Sequence, residues 1–412
     1  MQLQDWEDLL RRVQVLARTD EKLLVELRRQ LHSHPELSGQ EGATTDLVEA
    51  QLRAVGLSPT RLAVGTGLVC DLHCGAGTEA ALSSVIALRA DLDALAMHDD
   101  KEVAYRSRNV GVAHACGHDV HTAILVGAAR VLAELGPALD LTGTVRFIFE
   151  PSEESVPGGA VDVIAEGWLH DVTAIFGLHC DPKLDVGQVG CRTGAITSAA
   201  DLIEVQLRGP GGHTARPGLT VDLVRVMAAL VVDLQGIIDE LTENPGDLVI
   251  VFGAIHAGDA ANVIPAQGSM RGTLRTRDHA TWVQAPELFE QAVQLALGAT
   301  DALWEVHHRR GVPPVINDRA ATELLADAAR ESLGPDAVMA TDQSMGGDSF
   351  AWYLEKIPGS YARLGVHNPA SGMSRLDLHA STFDVDERAI HAGVLVLVTT
   401  ALRALASLPS SY

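Results

Sequence analysis

Four short runs in the first half of the chain are almost unbroken in apolar, strand-favouring residues. They are LVCDLHC at 68–74, SSVIALRAD at 83–91, GTVRFIFEP at 143–151 and VTAIFGLHC at 172–180. Helical patterns alternate with them, HTAILVGAARVLAEL at 121–135 and GGAVDVIAEGW at 158–168. A strand that is apolar on both sides needs cover on both sides, so the alternation predicts an α/β layer around a doubly covered sheet. Apolar periodicity predicts one or two amphipathic helices over 5–31, another over 41–55 and a closing helix over 385–408.

From about residue 200 the order changes. Strand DLIEVQLRG, helix VDLVRVMAALVVDLQGIIDEL, strands DLVIVFGAIHAG and QGSMRGTLRTR, helix TWVQAPELFEQAVQLALG and strand DALWEVHHRR succeed one another. That is β-α-β-β-α-β, the ferredoxin-like split motif, with two helices on one face of a four-stranded sheet. The expected organisation is an α/β domain built from 1–192 and 312–412, interrupted by a small α+β domain at 193–311. A length of 412 residues agrees with about two domains.

Composition removes several classes. With 31 Lys+Arg against 54 Asp+Glu the net charge is −23, and aromatic residues make up 4%. Nucleic acid or an anionic membrane surface as partner would require a basic face, so neither is expected. The N-terminus carries charges on every turn with no apolar core, and no stretch approaches 18 uninterrupted apolar residues. Five cysteines in a long chain do not read as a secreted disulfide framework, which makes a cytoplasmic location the expectation.

In open α/β sheets, ligands gather at the carboxyl ends of the strands. Here one strand runs into Asp91-Leu-Asp93, another into Glu153-Glu154, and a third into His179-Cys180. Three strands thus deliver metal-ligand residue types at one edge. The segment His114-Ala-Cys116-Gly-His118-Asp119-Val-His121 is denser still, and it precedes a helix with Gly117 supplying the freedom to turn. Thiolate and imidazole together favour zinc or another borderline transition metal over calcium or magnesium. The pair Cys70 and Cys74 with His73 lies on a strand and reads as structural. Adjacent carboxylates such as Glu153 and Glu154 suit hydrolysis, since one can hold a metal while its neighbour takes a proton from water. Sequence signals for serine hydrolases, P-loop nucleotide binding, Rossmann dinucleotide binding and the H-E-x-x-H zinc helix are absent.

Nine segments occur in order: LHSHPELSGQE, ALRADLDALAM, HACGHDVHTA, EPSEES…GGA, GLHCDP, GGHTARP, NVIPAQGSMRGTLRT, SMGGDSFAWYLEKIPGSYARLG and LHASTFDVDE. Together, from residue 31 to about 387, they resemble the amidohydrolase branch of the M-twenty metallopeptidases. That branch includes N-acyl-amino-acid, hippurate and auxin-conjugate hydrolases. The resemblance implies a dinuclear zinc-exopeptidase-like catalytic domain and an inserted lid that also forms a homodimer. It implies Cys116, His118, Glu154, His179 and His379 as ligands of two divalent ions, zinc first, with manganese, cobalt or nickel as alternatives. It assigns Glu153 as general base and Asp93 as the acidic residue that orients a ligand. His213 is implied to reach the partner subunit's active site and stabilise the oxyanion, while Asn262 and Arg275 hold the substrate, Arg275 through its free α-carboxylate.

The implied reaction is hydrolysis of a small-molecule N-acyl amino acid to a carboxylic acid and a free amino acid. A dipeptidase or carboxypeptidase of the same fold is the nearer rival, and a non-catalytic binding protein the remote one. The chain departs from the family pattern in three places. Ala96 stands where Pro is usual, SVPGGA succeeds the carboxylate doublet in place of a glycine run, and GGDSF replaces GSEDF, leaving Asp348 as the acidic residue there.

Overall fold

The computed structural model describes residues 3–75, 84–136, 141–371 and 375–407. Position 83 of the expected 83–91 strand and position 408 of the closing helix lie outside the described residues. The chain divides into two compact units. One comprises Met1–Ile196, Ile316–Asp342 and Ser349–Tyr412; the other comprises Thr197–Val315 and Gln343–Asp348. The expected boundaries at 192/193 and 311/312 shift to 196/197 and 315/316. The segment Gln343–Asp348, expected in the α/β part, belongs to the second unit instead. Hydrogen bonds hold it there: Ser198 N–H donates to Gly346 O at 3.0 Å, and Arg275 donates to Met345 O at 2.7 Å.

The first unit carries an eight-stranded sheet. In spatial order its strands are Thr60–Arg61, Leu68–Cys74, Gly143–Glu150, Val85–Asp91, Val172–Asp185, Gly359–His367, Val189–Cys191 and Val338–Ala340. Val85–Asp91 runs parallel to both of its neighbours, and Val172–Asp185 runs parallel to Gly359–His367. The carboxyl ends of the central strands therefore share one edge. Every residue of Val85–Asp91 and Gly143–Glu150 is buried, as continuous apolar runs require.

The strand expected to end at Cys180 continues to Asp185, because Gly359–His367 keeps pairing with it up to His367 opposite Asp185. His179 and Cys180 are thus inside a strand and not at its tip. The N-terminal pattern forms one helix, Leu3–Ser33. It packs with His118–Leu135 and Arg388–Ser407 over one face of the sheet, with Leu24 and Val394 meeting at Gly127. Arg388–Ser407 is long and apolar enough to cross a membrane, yet 83% of that stretch is buried here as a core helix.

In the second unit, Leu248–Ala257, Gln267–Thr276, Ala199–Arg208 and Leu303–Val312 form an antiparallel sheet in that spatial order. Helices Leu223–Leu241 and His279–Leu297 bury Leu230, Leu234 and Phe289 with Val205, Leu207, Met270 and Leu274 of the strands. Asp222 and Asp278 cap these helices, each accepting a hydrogen bond from a first-turn N–H.

The first unit's core depends on large side chains from the central strands. Phe147 is fully buried in it. Phe147→Ala is expected to destabilise the protein by about 3–5 kcal/mol, read as a lowered denaturation midpoint with unchanged m-value.

Candidate metal centre

The turn before helix His118–Leu135 brings the first donors together. Gly117 adopts φ +94° at the helix start, a region that side chains disfavour. A Cβ there would also lie 2.8 Å from Cys180 Sγ. Glycine alone lets the turn press against the Val172–Asp185 strand, which sets Cys116 Sγ 3.5 Å from His179 Nε2.

Ligand atoms of Cys116, His118 and His179 all lie within 4.8 Å of one another, as do those of Cys116, Glu154 and His379. His118, Glu153 and Glu154 form a further such group. All five expected ligands thus converge through the shared Cys116. His379 holds φ +64°, rare for a residue with a side chain, and its N–H donates to Ala115 O at 2.8 Å.

The histidine tautomers are set by their partners. His118 Nδ1 lies 2.9 Å from the Asp93 carbonyl and His179 Nδ1 lies 2.7 Å from the Cys180 carbonyl. A carbonyl can only accept, so both Nδ1 atoms carry the proton and both Nε2 lone pairs face the cluster. His118 Nε2 and Glu154 Oε1 are buried without a hydrogen-bond partner among the described residues. Two orphaned acceptors about a buried thiol would be costly alone, and a divalent cation satisfies all of them.

Charge agrees with that fit. Burial works against a charge on His118, but Asp91, Cys116 and Asp93 outweigh it and raise its pKa well above the usual value, so that a proton and a metal ion compete for the same Nε2 lone pair. The same negative field favours a bound cation. Burial, with His121 and Arg363 nearby, pushes His179 well below its ordinary range and keeps it neutral. Burial and Glu154 push the Cys116 thiol well up, and a cation beside the sulfur would reverse this.

Asp93 does more than face His118. Its two carboxylate oxygens accept the N–H groups of Glu153 and Glu154 at 3.0 and 2.9 Å, and Ser38 Oγ–H donates to it at 2.6 Å. It therefore fastens the peptide backbone of the doublet while its carbonyl orients His118. Burial opposes its low pKa, and the hydrogen bonds from His118, Ser38 and Glu154 hold it below the usual range.

Not every residue of the dense motif belongs to the donor set. His121 donates from Nδ1 to Asp91 at 2.7 Å and accepts Cys180 N–H at Nε2, so both nitrogens are committed. The buried group Asp91, His118 and His121 is accordingly a tie between elements. Asp119 accepts from Arg28 Nε at 2.7 Å and lies 2.6 Å from His32 Nδ1, linking the N-terminal helix to the metal-side helix. That explains the first histidine of LHSHPEL, His32. Burial lowers His114 to about 3 and leaves it neutral, with no hydrogen-bond partner on either ring nitrogen among the described residues.

Sequence reasoning missed Arg89, Glu150 and Ser349. Arg89 is buried and donates to Asp91 at 2.5 Å, to Glu150 at 2.7 Å and to Ser349 Oγ at 3.0 Å. The available signal was charge inside otherwise apolar strands.

In the second unit, His213 and Asn262 are exposed neighbours, because the short strand Gly212–His213 pairs with Val263–Ile264. Arg275 is half-buried, and burial lowers its guanidinium pKa. Asp348 is buried in the same unit, while Ser349 begins the next segment of the first.

A sulfur, nitrogen and oxygen donor set, buried at Cys116, His118 and His179 and open to solvent at His379, with a second carboxylate beside it, is what a metal-dependent hydrolase requires. The sequence signature of Peptidase family M20/M25/M40 matches residues 87–403, and the chain belongs to that family. It is 36% identical over 389 residues to N-acetyl-L-cysteine deacetylase of Bacillus subtilis, covering 94% of this chain and 90% of that protein. A solved Bacillus subtilis structure, described as a dinuclear metal binding peptidase from the M20 family, superposes with a TM-score of 0.81 at 30% identity. The match covers 95% of this chain and 99% of that one. A longer Rhodococcus jostii protein bearing the name of a glutamate–cysteine ligase is 46% identical over 379 residues. That match covers 92% of this chain, which spans 46% of the longer protein. These relatives make the chain a metal-dependent hydrolase acting on amides.

Gly117→Ala must adopt a left-handed conformation and clash with Cys180 Sγ, so bound metal after dialysis should fall and Tm should drop by several degrees, read by elemental analysis and calorimetry. Burial pushes Cys70, Cys74 and Cys191 up to about 11. Their thiolates are scarce at pH 8, so alkylation of the native protein should be slow there, quicken toward pH 11, and go to completion on denaturation, as mass spectrometry would show.

Proposed function

We propose that the protein hydrolyses the amide bond of N-acyl amino acids. The observation that carries this reading is the Cys116, His118, Glu154, His179 and His379 donor set with Glu153 beside it. These five residues would hold two divalent cations, zinc first. When bound, such ions supply Lewis acidity for the amide carbonyl and for water. Glu153, kept at the edge of the donor set, accepts the proton of the attacking water and delivers it to the leaving amine. Asp93 keeps the doublet's backbone still while this happens.

His213 stabilises the oxyanion and Arg275 grips the substrate's α-carboxylate with Asn262. A guanidinium fork matches a carboxylate, and these assignments rest on the family pattern around GGHTARP and NVIPAQGSMRGTLRT. A homodimer through the second unit agrees with exposed Val231, Val232, Val251 and Ile255 on that unit. The unpaired cysteines, Cys70, Cys74, Cys116, Cys180 and Cys191, agree with a cytoplasmic location.

The test is free-amine release from N-acetyl, N-benzoyl and indoleacetyl amino acids by metal-loaded protein, each paired with its carboxamide. Release from the acids alone is the expected result; no release from any of them, with dipeptides assayed alongside turned over instead, would overturn the substrate assignment. Glu153→Gln should keep its metal and lose about 10²–10⁴-fold in kcat, and turnover retained in that variant would remove Glu153 as the base.

A further inference from the structure

The replacement of GSEDF by GGDSF puts a serine at 349 where the family pattern carries an aspartate. Serine before a helix ordinarily caps it, but Ser349 is already helical (φ −62°, ψ −17°) and its side chain makes no cap hydrogen bond. The hydroxyl is used elsewhere. Fully buried, it receives Arg89 Nη2–H at 3.0 Å and donates to Glu150 Oε1. The other oxygen of Glu150 accepts from Arg89 Nε at 2.7 Å and from Tyr353 O–H at 3.0 Å. On its opposite side Ser349 is pressed by Gly158, where a Cβ would lie 2.4 Å from Ser349 Cβ. Gly158 lies in SVPGGA, another of the departures from the family pattern. With its side chain fixed in this way, Ser349 directs its backbone N–H to Glu153 Oε1 at 3.1 Å.

We propose that Ser349 is a positioning residue for Glu153: its peptide N–H holds one oxygen of the base, and the Arg89–Glu150 clamp on its hydroxyl holds the peptide. The inference deepens the reading of Glu153 as base and rests on it. In this chain position 349 carries no charge, and the carboxylate that meets its side chain is Glu150, at the end of the strand beside Val85–Asp91. Arg89 already has two buried carboxylate partners, Asp91 and Glu150, and a third packed beside them would add an uncompensated negative charge. The charge should therefore be movable between 150 and 349 and not duplicable.

The experiment uses full-length, metal-loaded protein with N-acetyl-L-methionine, or whichever N-acyl amino acid of the panel is turned over fastest, as probe. Ser349→Ala should lower kcat about 10- to 100-fold, as slight misplacement of a catalytic group does, with KM within about twofold and metal content unchanged. Ser349→Asp should be worse and less stable, whereas Ser349→Asp combined with Glu150→Gln should recover at least about fivefold in kcat over Ser349→Asp alone. A crystal structure of Ser349→Ala should show Glu153 Oε1 beyond hydrogen-bond distance of the residue-349 N–H, a readout independent of turnover. Unchanged kcat in Ser349→Ala, a loss shared with KM and metal content, an unmoved Glu153, or no recovery in the double variant overturns the proposal. Turnover retained in Glu153→Gln would bring down the base reading itself. An inactive Glu153→Gln beside an unimpaired Ser349→Ala would bring down this inference alone.

Discussion

A guanidinium cannot be left unpaired inside a protein, and the first unit is arranged around one. Arg89 sits within a strand whose every residue is buried, and it is answered by Asp91 on its own strand and Glu150 on the next. Those two carboxylates end adjacent parallel strands, paired directly across the sheet. The ion cluster therefore fixes where the strands stop relative to one another. The residues just beyond each strand are fixed with it: Asp93 after one, Glu153 and Glu154 after the other. Removing a single partner would leave a buried charge uncompensated, which is why the cluster acts as a unit.

Above this base the centre is set by what its side chains do away from the ion site. Backbone carbonyls at Asp93 and Cys180 take the Nδ1 protons of His118 and His179. The Asp93 carboxylate takes the N–H groups of the doublet. Every such contact is to backbone or to a buried group, so lone pairs are aimed before a cation arrives and little reorganisation is required. The same arrangement explains why His121, though next to the donors in sequence, is not one of them: both of its nitrogens tie Asp91 to Cys180.

Much of this was legible in the chain. The buried strands and the split β-α-β-β-α-β unit are consequences of local pattern, whereas the grouping of Cys116, His118, Glu154 and His179 as ligands was implied by the family resemblance. The clamp of Arg89, Glu150 and Ser349 was not legible. Arg89 and Glu150 showed only as charges inside apolar strands, Ser349 looked ordinary before its short helix, and only the fold makes the three neighbours. Likewise the extension of the His179 strand to Asp185 could not be foreseen from its own residues, because a partner strand far along the chain, Gly359–His367, sustains it.

The sequence by itself determined which residues can offer metal-ligand atoms and which segments are buried, since side-chain type and apolar periodicity are local properties. Only the tertiary structure decided how those residues are used. It selected the tautomers of His118 and His179, committed His121 to a structural tie, moved Gln343–Asp348 into the second unit and turned a serine hydroxyl away from its helix. Each of these depends on which hydrogen-bond partner comes within about 3 Å once the chain is folded, and a directional interaction of that range has no counterpart in spacing along the chain.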